Sequence, residues 1–127
     1  MEIGVDIERI ERFKKHDLEK DSNFLKSVFS DKELEYCFSH KNPAKHLAAR
    51  FCGKEAFVKA TSDLDISIDF DKIEILNKEN GKPYFNLPKN DILNKYEFKI
   101  SMSHEKTYAL ASVVMFEKDD NITKTCV

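Results

Sequence analysis

The stretch of sequence that decides the fold runs from Ala44 to Ala60 and reads AKHLAARFCGKEAFVKA. At about 100° per residue around a helix axis, its small residues form a stripe that permits close approach of a neighbouring element; they are Ala49, Cys52, Gly53, Ala56 and Ala60. Leu47, Phe51 and Val58 gather on nearly the opposite side. A helix that is apolar on two faces is typical of an element buried between two layers. The pattern therefore predicts a long central helix.

The charged residues of this helix fall at the borders between its two apolar faces. Glu55 and Lys59 share one border, and Arg50 and Lys54 share the other. On an exposed helix, Glu55–Lys59 would be a solvated ion pair worth only about 0.2–0.5 kcal/mol. Burial on both sides favours a second interpretation, because charges near a core are costly unless they bind something. A carboxylate beside two or three cations suits a metal ion together with phosphates.

Upstream of the central helix, the sequence predicts one strand and three shorter helices. Met1 to Ile7 alternates as a strand, with Ile3, Val5 and Ile7 on one face. Helices are then predicted over Glu8 to His16, over Leu18 to Phe29, and from Ser30 to about Ser39, where Ser30 and Glu33 form a capping box. Asn42-Pro43, an N-cap residue followed by proline at the first helical position, opens the central helix.

Downstream, the pattern changes to strands. Ile73 to Leu76 and Pro83 to Leu87 flank the turn signal Glu79-Asn80-Gly81-Lys82, and Phe98 to His104 pairs with Tyr108 to Phe116 as a second hairpin. Helices in the first half and strands in the second predict an α+β fold, with an antiparallel sheet packed on the long central helix. We expect a single domain over residues 1–117 and a polar, frayed tail over residues 118–127.

Composition narrows the class of protein. The 127 residues fit one domain, and 41% of them are hydrophobic. The formal net charge of −2 argues against a dedicated nucleic-acid binder, which usually carries a basic excess. No apolar run approaches the roughly 20 residues of a membrane helix, and residues 1–10 do not resemble a signal peptide. Three cysteines without CxxC spacing make a disulfide framework or zinc site improbable and favour a reducing cytoplasm.

Two strand ends carry candidate functional residues. Asp6 lies between the first strand and the predicted helix, so it is either the N-cap of that helix or a ligand for a hard metal ion. Asp6 with Glu55 is a plausible magnesium pair if the fold brings the two together. His104 ends another strand, where it is either a surface residue or a group that hydrogen-bonds a phosphate or relays a proton. Ser101 and Ser103 are expected on the polar face of an edge strand.

Five motifs in order resemble one known family. They are Gly4-Val5-Asp6, Phe29-Ser30 with Glu33, Arg50-Phe51 through Lys54-Glu55-Ala56 to Lys59-Ala60, Asn80-Gly81-Lys82-Pro83-Tyr84, and Ser101-Met102-Ser103-His104. Together they resemble the holo-[acyl-carrier-protein] synthase family of 4′-phosphopantetheinyl transferases, in its short single-copy form. The resemblance covers residues 3 to about 115 and implies that family's α+β fold.

The resemblance implies a reaction and roles for the residues. Coenzyme A and an apo acyl carrier protein would give the holo carrier and adenosine 3′,5′-bisphosphate. Asp6 and Glu55 would hold Mg²⁺ against the pyrophosphate, and Lys59 would offset charge on the attacked phosphate. Arg50 and His104 would bind other phosphate oxygens of coenzyme A, so the expected catalytic residues are Glu55, Lys59 and His104. Either a metal-bound water or Glu55 would accept the proton of the carrier serine.

The resemblance also implies partners. The carrier protein is acidic around its serine, so a basic surface should dock it. Arg12 matches a docking position of the family, and Arg9 and Lys15 recur at three-residue spacing beside it. Short members of the family form homotrimers whose sites lie between subunits, and we expect the same here. The segment Thr61 to Asp65 departs from the glycine-rich turn of many relatives.

Two other functions fit the same residues. A magnesium-dependent phosphohydrolase would use Asp6, Glu55 and the cations with water as nucleophile, and would not need a carrier protein. A non-catalytic nucleotide-binding module would leave Glu55–Lys59 as a merely structural pair.

Overall fold

The computed structural model describes residues 1–118. Cys126 and all of the expected tail except Lys118 lie outside the described residues. The strands are β1 (Glu2–Arg9), β2 (Glu74–Asn77), β3 (Pro83–Asn86), β4 (Tyr96–His104) and β5 (Tyr108–Glu117), and the α-helices are α1 (Ser22–Val28), α2 (Asp31–Phe38) and α3 (Pro43–Ala60). Short 3₁₀ turns occupy Ile10–Phe13, Phe70–Lys72 and Leu93–Lys95.

The strands form two antiparallel sheets beside helix α3. The larger sheet has the order β1-β5-β4, so its first strand in the chain pairs with its last, and the smaller sheet is the β2-β3 hairpin. The predicted α+β fold with an antiparallel sheet on a long central helix is confirmed. Strand β4 is an edge strand, and Ser101 and Ser103 are exposed on it as expected.

Helix α3 lies close against the larger sheet because its facing residues are small. Ala56 and Ala60 are buried, and a Cβ added to Gly4 of β1 would lie 1.9 Å from the carbonyl oxygen of Ala56. Only glycine allows β1 to approach the helix backbone this closely. Gly53 faces Ile75 and Ile100 instead, so the small-residue stripe packs against both sheets.

The second buried face of α3 is shorter than predicted and contains charge. Leu47 is fully buried, but Val58 is 41% exposed in the single chain. Arg50 and Lys54, predicted at a border, are 2% and 0% exposed. Lys54 tolerates burial because its ammonium donates to Glu33, 2.7 Å away, and to two backbone carbonyls.

The two predicted helices before α2 are largely wrong. Glu8 and Arg9 continue the β1 ladder by pairing with Ala109 and Tyr108, and only the 3₁₀ turn Ile10–Phe13 follows. That turn buries Ile10 and Phe13, whose i,i+3 spacing suits three residues per turn. The helix expected from Leu18 begins only at Ser22.

The late start of α1 has a local cause. The side chains of Asp17 and Asp21 accept hydrogen bonds from the backbone N–H groups of residues 17, 19 and 20. Such side-chain acceptors offer the backbone an alternative to a helix.

The remaining predicted elements are confirmed within one or two residues. Ser30 and Glu33 form a reciprocal capping box at the start of α2. Pro43 is the first residue of α3, although Asn42 makes no side-chain capping hydrogen bond. Gly81, at φ +89°, closes the β2-β3 hairpin, and this left-handed conformation is one that glycine adopts without strain.

One face of the larger sheet is apolar and open to solvent in the single chain. Ile3, Val5 and Ile7 of β1 are 65%, 48% and 57% exposed, and Leu110 of β5 is 43% exposed. Ile7 pairs directly with Leu110, so the patch is continuous across two strands. Among the described residues, no helix is long and apolar enough to cross a membrane.

Candidate active site

Asp6 and Lys59 meet where β1 crosses the C-terminal part of α3. Asp6 lies inside β1, so it is not the N-cap of a helix. The ammonium of Lys59 donates to Asp6 at 3.2 Å and to the carbonyl of Val5 at 2.8 Å. The Asp6 side chain is 14% exposed and that of Lys59 is 53% exposed. The other carboxylate oxygen of Asp6, Oδ2, is buried without a hydrogen-bond partner.

Glu55 belongs to the same group. Partial burial, and then the carboxylates of Asp6 and Glu8, raise the pKa of Glu55, while Lys59 and Arg12 oppose the rise. Glu8 accepts a hydrogen bond from Arg12 four residues along the chain. The fold therefore brings together the three residues predicted for metal binding and charge stabilisation, Asp6, Glu55 and Lys59.

These carboxylates fit a magnesium ion. Within residues 1–118, no three His, Cys, Asp or Glu side chains are grouped so as to hold a metal ion. Mg²⁺ does not need three, since it is usually bound through one or two carboxylates plus waters and substrate phosphates. The unpartnered oxygen of Asp6 and the mutual repulsion of Asp6 and Glu55 are what a divalent cation would relieve.

Arg50 lies in a different part of the molecule. Its guanidinium is 4.2 Å from the centroid of the Tyr36 ring and donates a hydrogen bond to the side-chain oxygen of Asn77. Asn77 in turn donates to the carbonyl of Gly81 at 2.9 Å, which ties the helix to the Asn80-Gly81-Lys82 turn. Arg50 Nε is buried and has no hydrogen-bond partner.

His104 joins the Arg50 part of the molecule. Its ring centroid lies 5.9 Å from that of His46, and His46 packs against Tyr36, the residue under Arg50. The residues predicted to bind phosphate oxygens thus share one neighbourhood, which also contains His40.

The two groups lie on opposite sides of α3. Lys59 is nine residues from Arg50, and Glu55 is nine residues from His46, which corresponds to about 180° around a helix of 3.6 residues per turn. Along the axis the same separation is about 14 Å. A single chain therefore does not place the carboxylate group and the Arg50–His104 group around one common point.

The predicted docking residues share one surface although they do not share a helix. Arg9 ends β1, Arg12 lies in the 3₁₀ turn and Lys15 follows it, and all three line one surface depression together with Tyr108. The three-residue period of a 3₁₀ turn keeps side chains at i and i+3 in line. The Arg12 guanidinium lies 5.1 Å from the Phe51 ring centroid.

Sequence reasoning missed several members of both groups. Glu8 faces α3 with Asp6, two residues earlier on the same strand, and extending the strand to Arg9 would have revealed it. His40 and His46 gave no signal in the sequence, because their proximity to His104 depends on how α2, α3 and β4 meet.

Comparison with known proteins gives the class to which this fold and these sites correspond. The sequence model of the 4′-phosphopantetheinyl transferase superfamily matches residues 2–113. The chain belongs to this superfamily.

Close relatives define the group within it. A holo-[acyl-carrier-protein] synthase of Thermodesulfovibrio yellowstonii is 44% identical over 113 residues, covering 89% of this chain and 96% of that protein. The crystal structure of the Helicobacter pylori holo-[acyl-carrier-protein] synthase in complex with coenzyme A is 30% identical with a TM-score of 0.76, over 90% of this chain and 99% of that one. The corresponding Bacillus anthracis structure, in complex with CoA (3′,5′-ADP), is 27% identical with a TM-score of 0.75, over 92% and 96% of the two chains. The resemblance inferred from the five motifs is confirmed.

Proposed function

We propose that this chain is a holo-[acyl-carrier-protein] synthase, which transfers the 4′-phosphopantetheine group of coenzyme A to a serine of an apo acyl carrier protein. The observation that carries the proposal is the convergence of Asp6, Glu55 and Lys59 beside β1 in a chain whose relatives have this name. The products would be the holo carrier and adenosine 3′,5′-bisphosphate, with the nucleophile supplied by the carrier.

The chemistry needs positioning and charge stabilisation more than covalent participation by the enzyme. Asp6 and Glu55 would hold Mg²⁺, which when bound supplies positive charge to phosphate oxygens. Lys59 is half exposed and held by Asp6 and the Val5 carbonyl, so its ammonium is fixed at the surface where a phosphate would arrive. Arg50 and His104 would bind further phosphate oxygens.

Each site would be completed by a second copy of the chain. Because the carboxylate group and the Arg50–His104 group lie on opposite sides of α3, one coenzyme A molecule contacts both only across two chains. The open apolar face of Ile3, Val5, Ile7 and Leu110 gives the copies a surface through which to associate. We propose a homotrimer with active sites between subunits.

The basic surface of Arg9, Arg12 and Lys15 would dock the acidic carrier protein, since complementary charge steers encounter. The cytoplasm is the proposed location. Cys37 and Cys52 support it, because both are free thiols in buried positions that raise their pKa values to about 12.

The test is intact-protein mass spectrometry of an apo acyl carrier protein incubated with this enzyme, coenzyme A and magnesium. We expect the carrier to gain one phosphopantetheine arm, and EDTA to prevent the gain. Asp6→Asn and Glu55→Gln should each lower the rate at least about 100-fold, the scale seen when one charge-stabilising group is removed. Glu2→Gln, an exposed carboxylate on the same strand, is the matched control and should keep the rate. An unmodified carrier accompanied by coenzyme A hydrolysis would instead support the phosphohydrolase.

A further inference from the structure

Three of the four histidines lie in one cluster. The ring centroids of His40 and His46 are 3.9 Å apart, and those of His46 and His104 are 5.9 Å apart. Tyr36 packs against both His40 and His46, at 4.7 and 5.7 Å. His40 and His46 are half-buried, whereas His104 is exposed.

The surroundings of this cluster are cationic. Burial, and then a set of neighbours that are cationic or can become so, lowers the pKa of His46 to about 4; these neighbours are His40, Arg50, His104 and Lys45. No carboxylate contributes to this balance, and the first turn of α3, beside His46, carries no acidic residue. The buried Arg50 Nε has no hydrogen-bond partner. Half-buried cations without an anion are costly, so the cluster lacks a negatively charged partner.

The hydrogen bonding of His40 fixes how it can meet an anion. Its Nδ1 lies 2.8 Å from the carbonyl oxygen of Tyr36. A carbonyl only accepts, so Nδ1 carries a hydrogen and donates it. In neutral His40 the other nitrogen, Nε2, is then an acceptor that repels a phosphate oxygen. Only the protonated ring presents an Nε2–H donor to an anion.

We propose that His40 and His46 join Arg50 and His104 in one phosphate-binding site, and that this site takes up protons when the phosphate binds. The ligand class is a phosphate group carrying up to two negative charges. Coenzyme A is the source that follows from the proposed function, on which this inference rests, and inorganic phosphate would compete for the same site. His40 and His46 are binding residues for the anion and take no part in bond breaking.

Proton uptake has a definite sign and pH window. At pH 7 the free site holds His46 neutral, and a bound anion replaces repulsion from cations with attraction, which favours the protonated ring. Affinity for the phosphate should therefore rise as pH falls from 8 towards 6.5. Below about 6 the phosphate itself takes up a proton, so the gain should end there.

The experiment is isothermal titration calorimetry with coenzyme A at pH 7, in two buffers of different ionisation enthalpy, which together give the number of protons taken up. The wild type should take up protons. His40→Gln/His46→Gln should lose most of this uptake and bind roughly tenfold more weakly, as expected from losing one charge-assisted hydrogen bond. His16→Gln alters the one histidine outside the cluster and should match the wild type. Inorganic phosphate should weaken coenzyme A binding in the wild type more than in the double variant.

Thermal melting identifies any variant that fails to fold, and the single variant His46→Gln then replaces the double one. Equal proton uptake and equal affinity in the folded variant and the wild type would overturn the inference while leaving the proposed function intact. Failure of the wild type to bind coenzyme A at all would instead overturn the proposed function, and with it this site.

Discussion

At the residue scale, Gly4 sets the position of Asp6. A Cβ at Gly4 would lie 1.9 Å from Ala56 O and 2.9 Å from Ala60 N, and both atoms belong to the helix backbone, which cannot turn away. Gly4→Ala should therefore push β1 off α3 and cost about 3 kcal/mol of unfolding free energy, at the upper end of the usual range for overpacking. Urea unfolding measures the loss.

Gly53→Ala is the matched control for that substitution. Its Cβ would meet only the Cδ1 atoms of Ile75 and Ile100, which can rotate, and alanine favours a helix by up to about 1 kcal/mol over glycine. We expect a loss below about 1 kcal/mol. If both variants were equally stable, the close approach of β1 to α3 would not be what holds Asp6 in place.

Arg12 gives a second prediction at this scale. Its guanidinium is held between Glu8 and the Phe51 ring on the basic surface. Arg12→Glu should raise the Michaelis constant for the carrier protein roughly tenfold, because reversed charge opposes an acidic partner, while that for coenzyme A should change much less. Steady-state kinetics with each substrate varied in turn separates the two. Lys89→Glu, which alters an exposed lysine outside this surface, should change neither constant, and an equal rise in both constants for Arg12→Glu would count against docking there.

At the element scale, α2 and α3 are joined by a buried ion pair. Glu33 accepts hydrogen bonds from the Ser30 N–H at 2.9 Å, the Ile75 N–H at 3.0 Å and the Lys54 ammonium at 2.7 Å, so one carboxylate connects a helix start, a strand and α3. Lys54→Met should leave that carboxylate buried and unpaired, at a cost of about 3–5 kcal/mol.

Chemical denaturation of a second variant tests the cause of that loss. Glu33→Gln/Lys54→Met removes the unpaired charge and keeps an oxygen for one backbone N–H. It should be more stable than Lys54→Met alone. A double variant that is less stable would mean that packing of the Lys54 side chain, and not charge, dominates.

The elements also show how far the sequence predicts the structure. The capping box at Ser30, the proline at Pro43 and the glycine at Gly81 act within a few residues, and the elements that they delimit were predicted correctly. The error at Glu8 to His16 arose because pairing of β1 with β5, about 100 residues away, overrides local helix preference.

The same distinction between local and distant contacts holds for the two functional groups. Glu55 and Lys59 are four residues apart on one helix, so their proximity follows from the sequence. That Asp6 faces them, and that His40 and His46 approach His104, depends on contacts between distant segments. Burial of Arg50 and Lys54 was missed for this reason as well, since their partners Asn77 and Glu33 lie in other elements.

At the scale of the whole molecule, the open face of the larger sheet carries the last prediction. Leu110 is 43% exposed and pairs with Ile7, which is 57% exposed, so burial of this face would remove a continuous apolar patch from water. A charge there is harmless to an isolated chain but would be buried between copies, where an unpaired carboxylate is costly. Leu110→Glu should therefore shift the protein from trimer to monomer in light scattering coupled to size exclusion. It should also abolish transfer to the carrier, since each monomer keeps its carboxylates and its Arg50–His104 group on opposite sides of α3. Leu18→Glu is the matched control, because Leu18 is 40% exposed and lies outside the sheet, and it should remain a trimer and active. An active monomer of Leu110→Glu would show that one chain suffices and that the two groups do not act on the same coenzyme A molecule across a subunit boundary.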